Sequence, residues 1–228
     1  MAVYGILGAM PDEVVQLCAR LTGVEVETYA GVEYHKGALG DKQVIVCCAG
    51  MGKANAAATV QVLITRYGAD HVIFSGIAGN MSSEIGIGDV VVGRTVVYHD
   101  AEDSMISQSA PFLTEYPGDP ALVEAALAAC GKLGVKAIAG KIATGDRFIG
   151  DSASKADIAA RVHPDCVEME GAAVMQIAGR NGVPCVVLRA MSDNADEAGR
   201  EKLVVQQFSI ESYVATATAI VADMLTRL

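Results

Sequence analysis

Residues 184–196 read PCVVLRAMSDNAD, and the two halves of this stretch carry the fold and the site in miniature. PCVVLRA is a continuous apolar run, the pattern of a strand covered on both faces. MSDNAD then crowds Ser192, Asp193 and Asp196, with Arg189 just before them, onto the end of that strand. Similar Val/Ile-rich runs recur at 3–7 (VYGIL), 43–48 (QVIVCC), 71–75 (HVIFS), 89–98, 135–144 and 165–169 (DCVEM). Between them lie Ala-rich segments of helical period, so helices are expected near 11–21, 53–67, 120–133, 152–161, 170–181 and 201–227, the last with Phe208, Tyr213, Ile220 and Leu225. Alternation of this kind predicts an α/β domain with a central, mostly parallel sheet covered by helices on both faces. The sheet is expected to be mixed, because Val32 to Leu39 alternates and Gly40-Asp41 leads straight into VIVCC, as in a hairpin. The least regular stretch, 100–119, is long enough to be a binding or interface loop.

At 228 residues the chain is expected to form one domain, 1–228, with no repeat or linker. Hydrophobic residues make up 52% and charged ones 19%, with mean hydropathy +0.36, which is too apolar for disorder and too evenly interrupted for a membrane protein. Seventeen Lys and Arg against 27 Asp and Glu leave a net charge of −10, a field that repels nucleic acid and anionic lipid. The six cysteines form no C-x-x-C pair and four sit in apolar runs, as reduced core residues of a cytoplasmic protein do. MAVYGILGAM has no basic n-region, so no signal peptide is expected.

Ligands of open α/β sheets gather at the C-terminal ends of strands, and four acids fall there: Glu13, Glu168, Glu170 and Asp193. Glu13 and Glu170 also fit helix starts, where acids face the positive end of the dipole. Asp193 lacks that explanation. Glycine turns accompany the acids at Gly50-Met51-Gly52, Gly76-Ile77-Ala78-Gly79 and Gly145-Asp146. AGMGKAN is not a P-loop, since Ala54 follows Lys53, and Asn55 breaks the dinucleotide pattern. The four histidines have no metal-ligand spacing. No metal or cofactor is expected.

The segments GAMPDEV (8–14), AGMGKANAA (49–57), SGIAG (75–79), IGDVVV (87–92), YHDA (98–101), TGDRFI (144–149), VEMEGAA (167–173) and RAMSDNAD (189–196) occur in an order that resembles the bacterial 5′-methylthioadenosine/S-adenosylhomocysteine nucleosidases of the nucleoside phosphorylase superfamily. The resemblance spans nearly the whole chain, and VEMEGAA followed by RAMSDNAD is its specific part. It implies hydrolysis of an N-ribosidic bond with release of adenine, from an adenosine derivative, by a homodimer. Asp193 then corresponds to the acid that protonates N7, with Ser192 placing it. Glu13 corresponds to the acid that activates water, with Arg189 beside it, and Glu170 to the carboxylate that holds the ribose hydroxyls. Met169 would pack on the sugar, Phe148 would stack on the base, and the Ile149 backbone would read its edge. Met51, Ile77, Ala78, Gly79 and Glu168 are further substrate-binding positions. An acid for the leaving base and a base near C1′ are what this bond cleavage requires, and a desolvated site is expected to raise at least one carboxyl pKa towards neutrality.

Departures from the family pattern fall in three places. The segment after YHDA, which in the family helps form the 5′-thioalkyl pocket with the partner subunit, here reads EDSMISQSAPFLTEYPGD, with Met105, Ile106 and Phe112 as candidate lining. Ile77 replaces a small hydroxyl residue common in relatives, and Arg147 stands beside Phe148. A purine nucleoside phosphorylase, an aminodeoxyfutalosine hydrolase and a non-catalytic nucleoside-binding protein are the alternatives.

Overall fold

A computed structural model describes residues 2–204 and 210–228. In chain order the elements are β1 (Val3–Gly8), α1 (Pro11–Cys18), β2 (Thr22–Tyr29), β3 (Val32–Leu39), β4 (Lys42–Cys48), α2 (Lys53–Thr65), β5 (His71–Asn80), β6 (Val90–Tyr98), α3 (Asp103–Ile106), β7 (Glu115–Pro117), α4 (Pro120–Lys132), β8 (Ala137–Thr144), α5 (Ser152–Val162), β9 (Cys166–Glu168), α6 (Gly171–Arg180), β10 (Cys185–Asp193), α7 (Glu197–Val204) and α8 (Glu211–Leu225).

One sheet holds all the strands, in the order β10-β6-β8-β9-β5-β1-β4-β3-β2, with β7 on β6. It is mixed: β1 runs parallel to β4 and β5, and β10 parallel to β5, while β3 and β4 form the expected hairpin. Because β5 also pairs with β9 and β10, strands β5, β10, β6, β8 and β9 close into a ring. That closure has no local signature in the sequence.

The apolar runs are explained by burial on two faces. In β1, Tyr4 and Ile6 pack with Leu17, Leu122 and Ile220, whereas Leu7 packs with Val60, Leu63 and Val174. Alternate residues of one strand thus enter opposite cores, the period of two that a pleated strand imposes. Helices α1, α4 and α8 cover the first face and α2 and α6 the second. Local chemistry starts the helices at the expected places. Pro11 and Pro120 occupy first turns, and the Asp119 carboxylate accepts the Ala121 and Leu122 N–H groups at 3.0 and 3.1 Å.

Three expectations are corrected. The stretch 22–29, given no element above, is an edge strand, β2, almost wholly exposed and held by backbone pairing to β3. The stretch 100–119 contains one turn of helix, α3, and the short strand β7. The helix expected over 201–227 is described as two pieces, α7 and α8, with Phe208 outside the described residues. Among the described residues, no helix is long and apolar enough to cross a membrane.

Candidate active site

The ends of β1, β5, β9 and β10 meet around a cavity of about 190 Å³. Glu13, Glu168, Glu170, Arg189, Ser192 and Asp193 line it, together with Met51, Ile77, Ala78, Gly79, Phe148 and Met169. Twelve residues singled out in the sequence are therefore neighbours in space. Ile149 is buried just beside them, in a small recess shared with Phe148 and Met169. Met105, Ile106 and Phe112 do not line the cavity of their own chain; Met105 is 65% and Phe112 68% exposed. Ala9, Met10 and Val167 line it too and were not singled out, although Ala9 and Met10 lie in the quoted GAMPDEV segment. A larger groove of about 620 Å³ against α4 is mostly aliphatic, with Arg94 and Glu124 at its edge.

Glu13 sits in the first turn of α1, and the helix-start reading of it is correct as far as it goes. Its Oε2 accepts the Ala9 and Met10 N–H groups at 2.7 and 3.0 Å, and its Oε1 accepts Ile77 N–H at 3.1 Å. Each carboxylate oxygen has two lone-pair sites, so Oε1 retains capacity on the cavity side. Gly76 makes this possible. A Cβ there would lie 2.2 Å from an Arg189 guanidinium nitrogen and 2.6 Å from Glu13 Oε1, so a side chain at this position would displace one or both groups.

Arg189 is 1% exposed and stacks 4.0 Å from the centroid of Phe74. It donates to Glu168 Oε2 and lies 3.6 Å from Glu170 Oε2. Glu168 is further engaged by the Thr144 hydroxyl and by Gly171 N–H at 2.7 Å, and Thr144 Oγ1 accepts Ala172 N–H at 2.8 Å. This carboxylate therefore anchors the start of α6 and the guanidinium. Glu170 is the freer group, with Gly52 N–H donating to its Oε1 at 2.8 Å. Burial, reinforced by the charge of Glu168, pushes the Glu170 carboxyl up to about 7, against the pull of Arg189. Two carboxylates, Glu168 and Glu170, thus pair with one guanidinium.

Asp193 ends β10, where the pairing with β5 shifts register between Met191 and Asp193. Such an irregularity re-aims side chains at a strand end. Asp193 Oδ1 accepts Ala195 N–H at 2.8 Å, while Oδ2 is 2.8 Å from Ser192 Oγ. Ser192 Oγ is also 3.2 Å from the Ala78 carbonyl oxygen. A hydroxyl has one proton and the carbonyl can only accept. Ser192 Oγ is therefore the donor in this cluster, shared between Asp193 Oδ2 and the Ala78 carbonyl. Among the described residues, no cluster of three or more His, Cys, Asp or Glu could hold a metal ion.

A mixed, part-closed sheet whose strand ends gather buried carboxyls about a single arginine defines an α/β protein with a small-molecule site poised to stabilise positive charge. The chain belongs to the phosphorylase superfamily, whose family model matches residues 3–226. It is 40% identical over 199 residues to the 5′-methylthioadenosine/S-adenosylhomocysteine nucleosidase of Shewanella loihica, covering 84% of this chain and 86% of that one. Among solved structures, the nucleosidase of the same name from Colwellia psychrerythraea, in complex with adenine, matches with TM-score 0.93 and 31% identity over 100% of this chain and 96% of that one. A futalosine hydrolase mutant of Helicobacter pylori matches with TM-score 0.90 and 28% identity over the whole of both chains.

Proposed function

We propose that the chain hydrolyses the N-ribosidic bond of 5′-methylthioadenosine and S-adenosylhomocysteine, and of related 5′-substituted adenosines, releasing adenine. The observation that carries this reading is the placing of two buried acids, Glu13 and Asp193, at separate points around one cavity. The glycines they overlie, Gly76 and Gly79, are three residues apart on β5, on the order of 10 Å along the strand. An acid and a base held on separate elements, α1 and β10, around one cavity are the two groups that hydrolysis of a glycosidic bond needs.

Adenine stacks on Phe148 with its edge against the Ile149 backbone, and Asp193, oriented by Ser192, serves as the general acid at N7 so that a neutral purine leaves. Positive charge then develops on the ribose. Glu170 accepts the 2′- and 3′-hydroxyls and, with Glu13 and Glu168 nearby, favours that cation. Met169 packs on the sugar. Water held at Glu13 Oε1 adds to C1′ and yields its proton to that carboxylate.

Hydrolysis is favoured over phosphorolysis because the one cation among the cavity-lining residues, Arg189, is already engaged by Glu168 and Glu170. Nothing there is left to neutralise a phosphate dianion, which Glu13 would repel. The cavity is also small against the ~300–1,000 Å³ usual for ligand sites. This supports a homodimer in which the apolar residues Met105, Ile106 and Phe112 close the 5′ side of the partner's site.

The test is chromatographic detection of adenine from methylthioadenosine, S-adenosylhomocysteine, 5′-deoxyadenosine and aminodeoxyfutalosine, each with and without phosphate. Adenine release independent of phosphate is expected. A ribose 1-phosphate product would assign phosphorolysis, preference for the futalosine would move the specificity, and binding without turnover would make the chain a nucleoside-binding protein.

A further inference from the structure

Lys53 follows the glycine turn that fails as a P-loop, and the chemistry above leaves it unused. It opens α2, and its Nζ lies 2.8 Å from Asp100 Oδ1 and 3.1 Å from Asp146 Oδ2. Asp146 N–H in turn donates to Asp100 Oδ2 at 2.8 Å, and the ammonium stands 5.3 Å from the centroid of Tyr98. Burial would lower the Lys53 ammonium, yet the Asp100 and Asp146 carboxylates hold it above its ordinary range.

Three segments are joined by these contacts: the turn before α2, the end of β6 and the loop after β8. Two of them reach the cavity. Gly52 N–H, one residue before Lys53, is the donor to Glu170 Oε1, and Phe148, two residues after Asp146, is the half-exposed aromatic wall. An isolated ion pair this close to the surface would contribute little to stability. Here one ammonium meets two carboxylates, one of which also holds a backbone N–H, so its main effect is on where the loop sits.

We propose that Lys53 is a positioning residue, an ionic latch that fixes the 145–149 loop so that Phe148 faces the base and that holds the Gly52 N–H against Glu170. The inference rests on the nucleosidase reading above for what the loop contacts, though not for the latch itself. Stacking acts on bound substrate and transition state alike, so its loss raises KM more than it lowers kcat.

The test compares wild type with Lys53→Met, Lys53→Arg and Lys53→Met/Asp146→Asn. Lys53→Met is expected to raise KM and the adenine Kd about fivefold to tenfold, with kcat within about threefold of wild type. Lys53→Arg, whose fork can span two carboxylates, should restore both. The double variant should be no worse than Lys53→Met, since both changes open one latch. Amide exchange of the 145–149 peptide, read by mass spectrometry in the free protein, should quicken in Lys53→Met and not in Lys53→Arg. Unchanged exchange would overturn the latch, as would a loss of kcat and thermal stability that Lys53→Arg fails to rescue. If wild type released no adenine, the functional reading would fall, and the exchange measurement would still decide whether Lys53 holds the loop.

Discussion

The carboxylate-lined side of the cavity and the segment 103–114 are built in opposite ways. Glu13, Glu168, Glu170 and Arg189 are all buried, and their carboxylate oxygens accept from backbone N–H groups, Thr144 or the guanidinium. Segment 103–114 has a single turn of helix with no buried residue and leaves Met105, Phe112 and Leu113 exposed. Groups that must meet developing charge need fixed dipoles, and burial supplies them without reorganisation. A surface that only has to exclude water around an apolar substituent can wait for a second molecule to cover it.

If the buried side carries the chemistry, its most damaging change is the loss of the proton donor. Asp193→Asn keeps the shape and leaves an oxygen to accept Ala195 N–H. It should lower kcat about 10²- to 10⁴-fold, the usual contribution of a positioned acid, while the adenine Kd measured by titration changes little. Retention of more than about a tenth of wild-type kcat would place the acid elsewhere.

A smaller effect should mark Glu170, whose carboxyl stands at about 7 because of burial and the neighbouring Glu168. Below that value it holds a proton and loses its capacity to accept two ribose hydroxyls, so KM should fall about tenfold as pH rises from about 6 to 8. Glu170→Gln should show a high, flat profile. The same shift bears on stability with a definite sign. The unfolded carboxyl ionises near 4.5 while the folded one keeps its proton to about 7, so the folded state binds more protons across that window. Stability is therefore full below about 4.5, declines as pH rises towards about 7, and stays reduced above it. Thermal melts of wild type and Glu170→Gln from pH 4 to 8 should converge at the acid end and separate at the alkaline end. A KM that is flat in wild type would remove Glu170 from the ribose contact.

Much of this contrast was legible in the sequence, for a physical reason. Strands buried on two faces advertise themselves as continuous apolar runs, so VYGIL, HVIFS and PCVVLRA marked the sheet and the acids after them marked its working end. What stayed hidden is made by approach in space. The ring closes through pairing of β5 with β9 and β10, and no residue pattern encodes partners so distant in sequence. β2 was missed although Val24 and Val26 alternate with Glu25 and Glu27, because its stability comes from backbone bonds at a sheet edge rather than from burial. Glu168 could be read as a strand-end acid, but only the fold shows that its oxygens are committed to Thr144, Gly171 and Arg189. The donors Gly52 N–H and Ile77 N–H lie on backbone, which carries no sequence signal for what it will meet.

The smallest expected effect tests the exposed side of the comparison. Phe112 has φ +62°, a left-handed conformation that asparagine tolerates better than most residues. Phe112→Asn therefore removes the ring with little change to the loop, and in one chain the residue does not line the cavity. If a second copy uses this ring to cover the 5′ substituent, kcat/KM for methylthioadenosine should fall about threefold to tenfold, the scale of a partial loss of apolar contact. The value for 5′-deoxyadenosine, which has almost nothing for the ring to grip, should hardly move. A change in that ratio without a change in adenine affinity would show that substituent and base are read by separate surfaces, one supplied by each copy. An unchanged ratio, in a protein found dimeric by sedimentation, would mean that the exposed segment does not close the site, and the 5′ side would have to be completed by the residues already around the cavity.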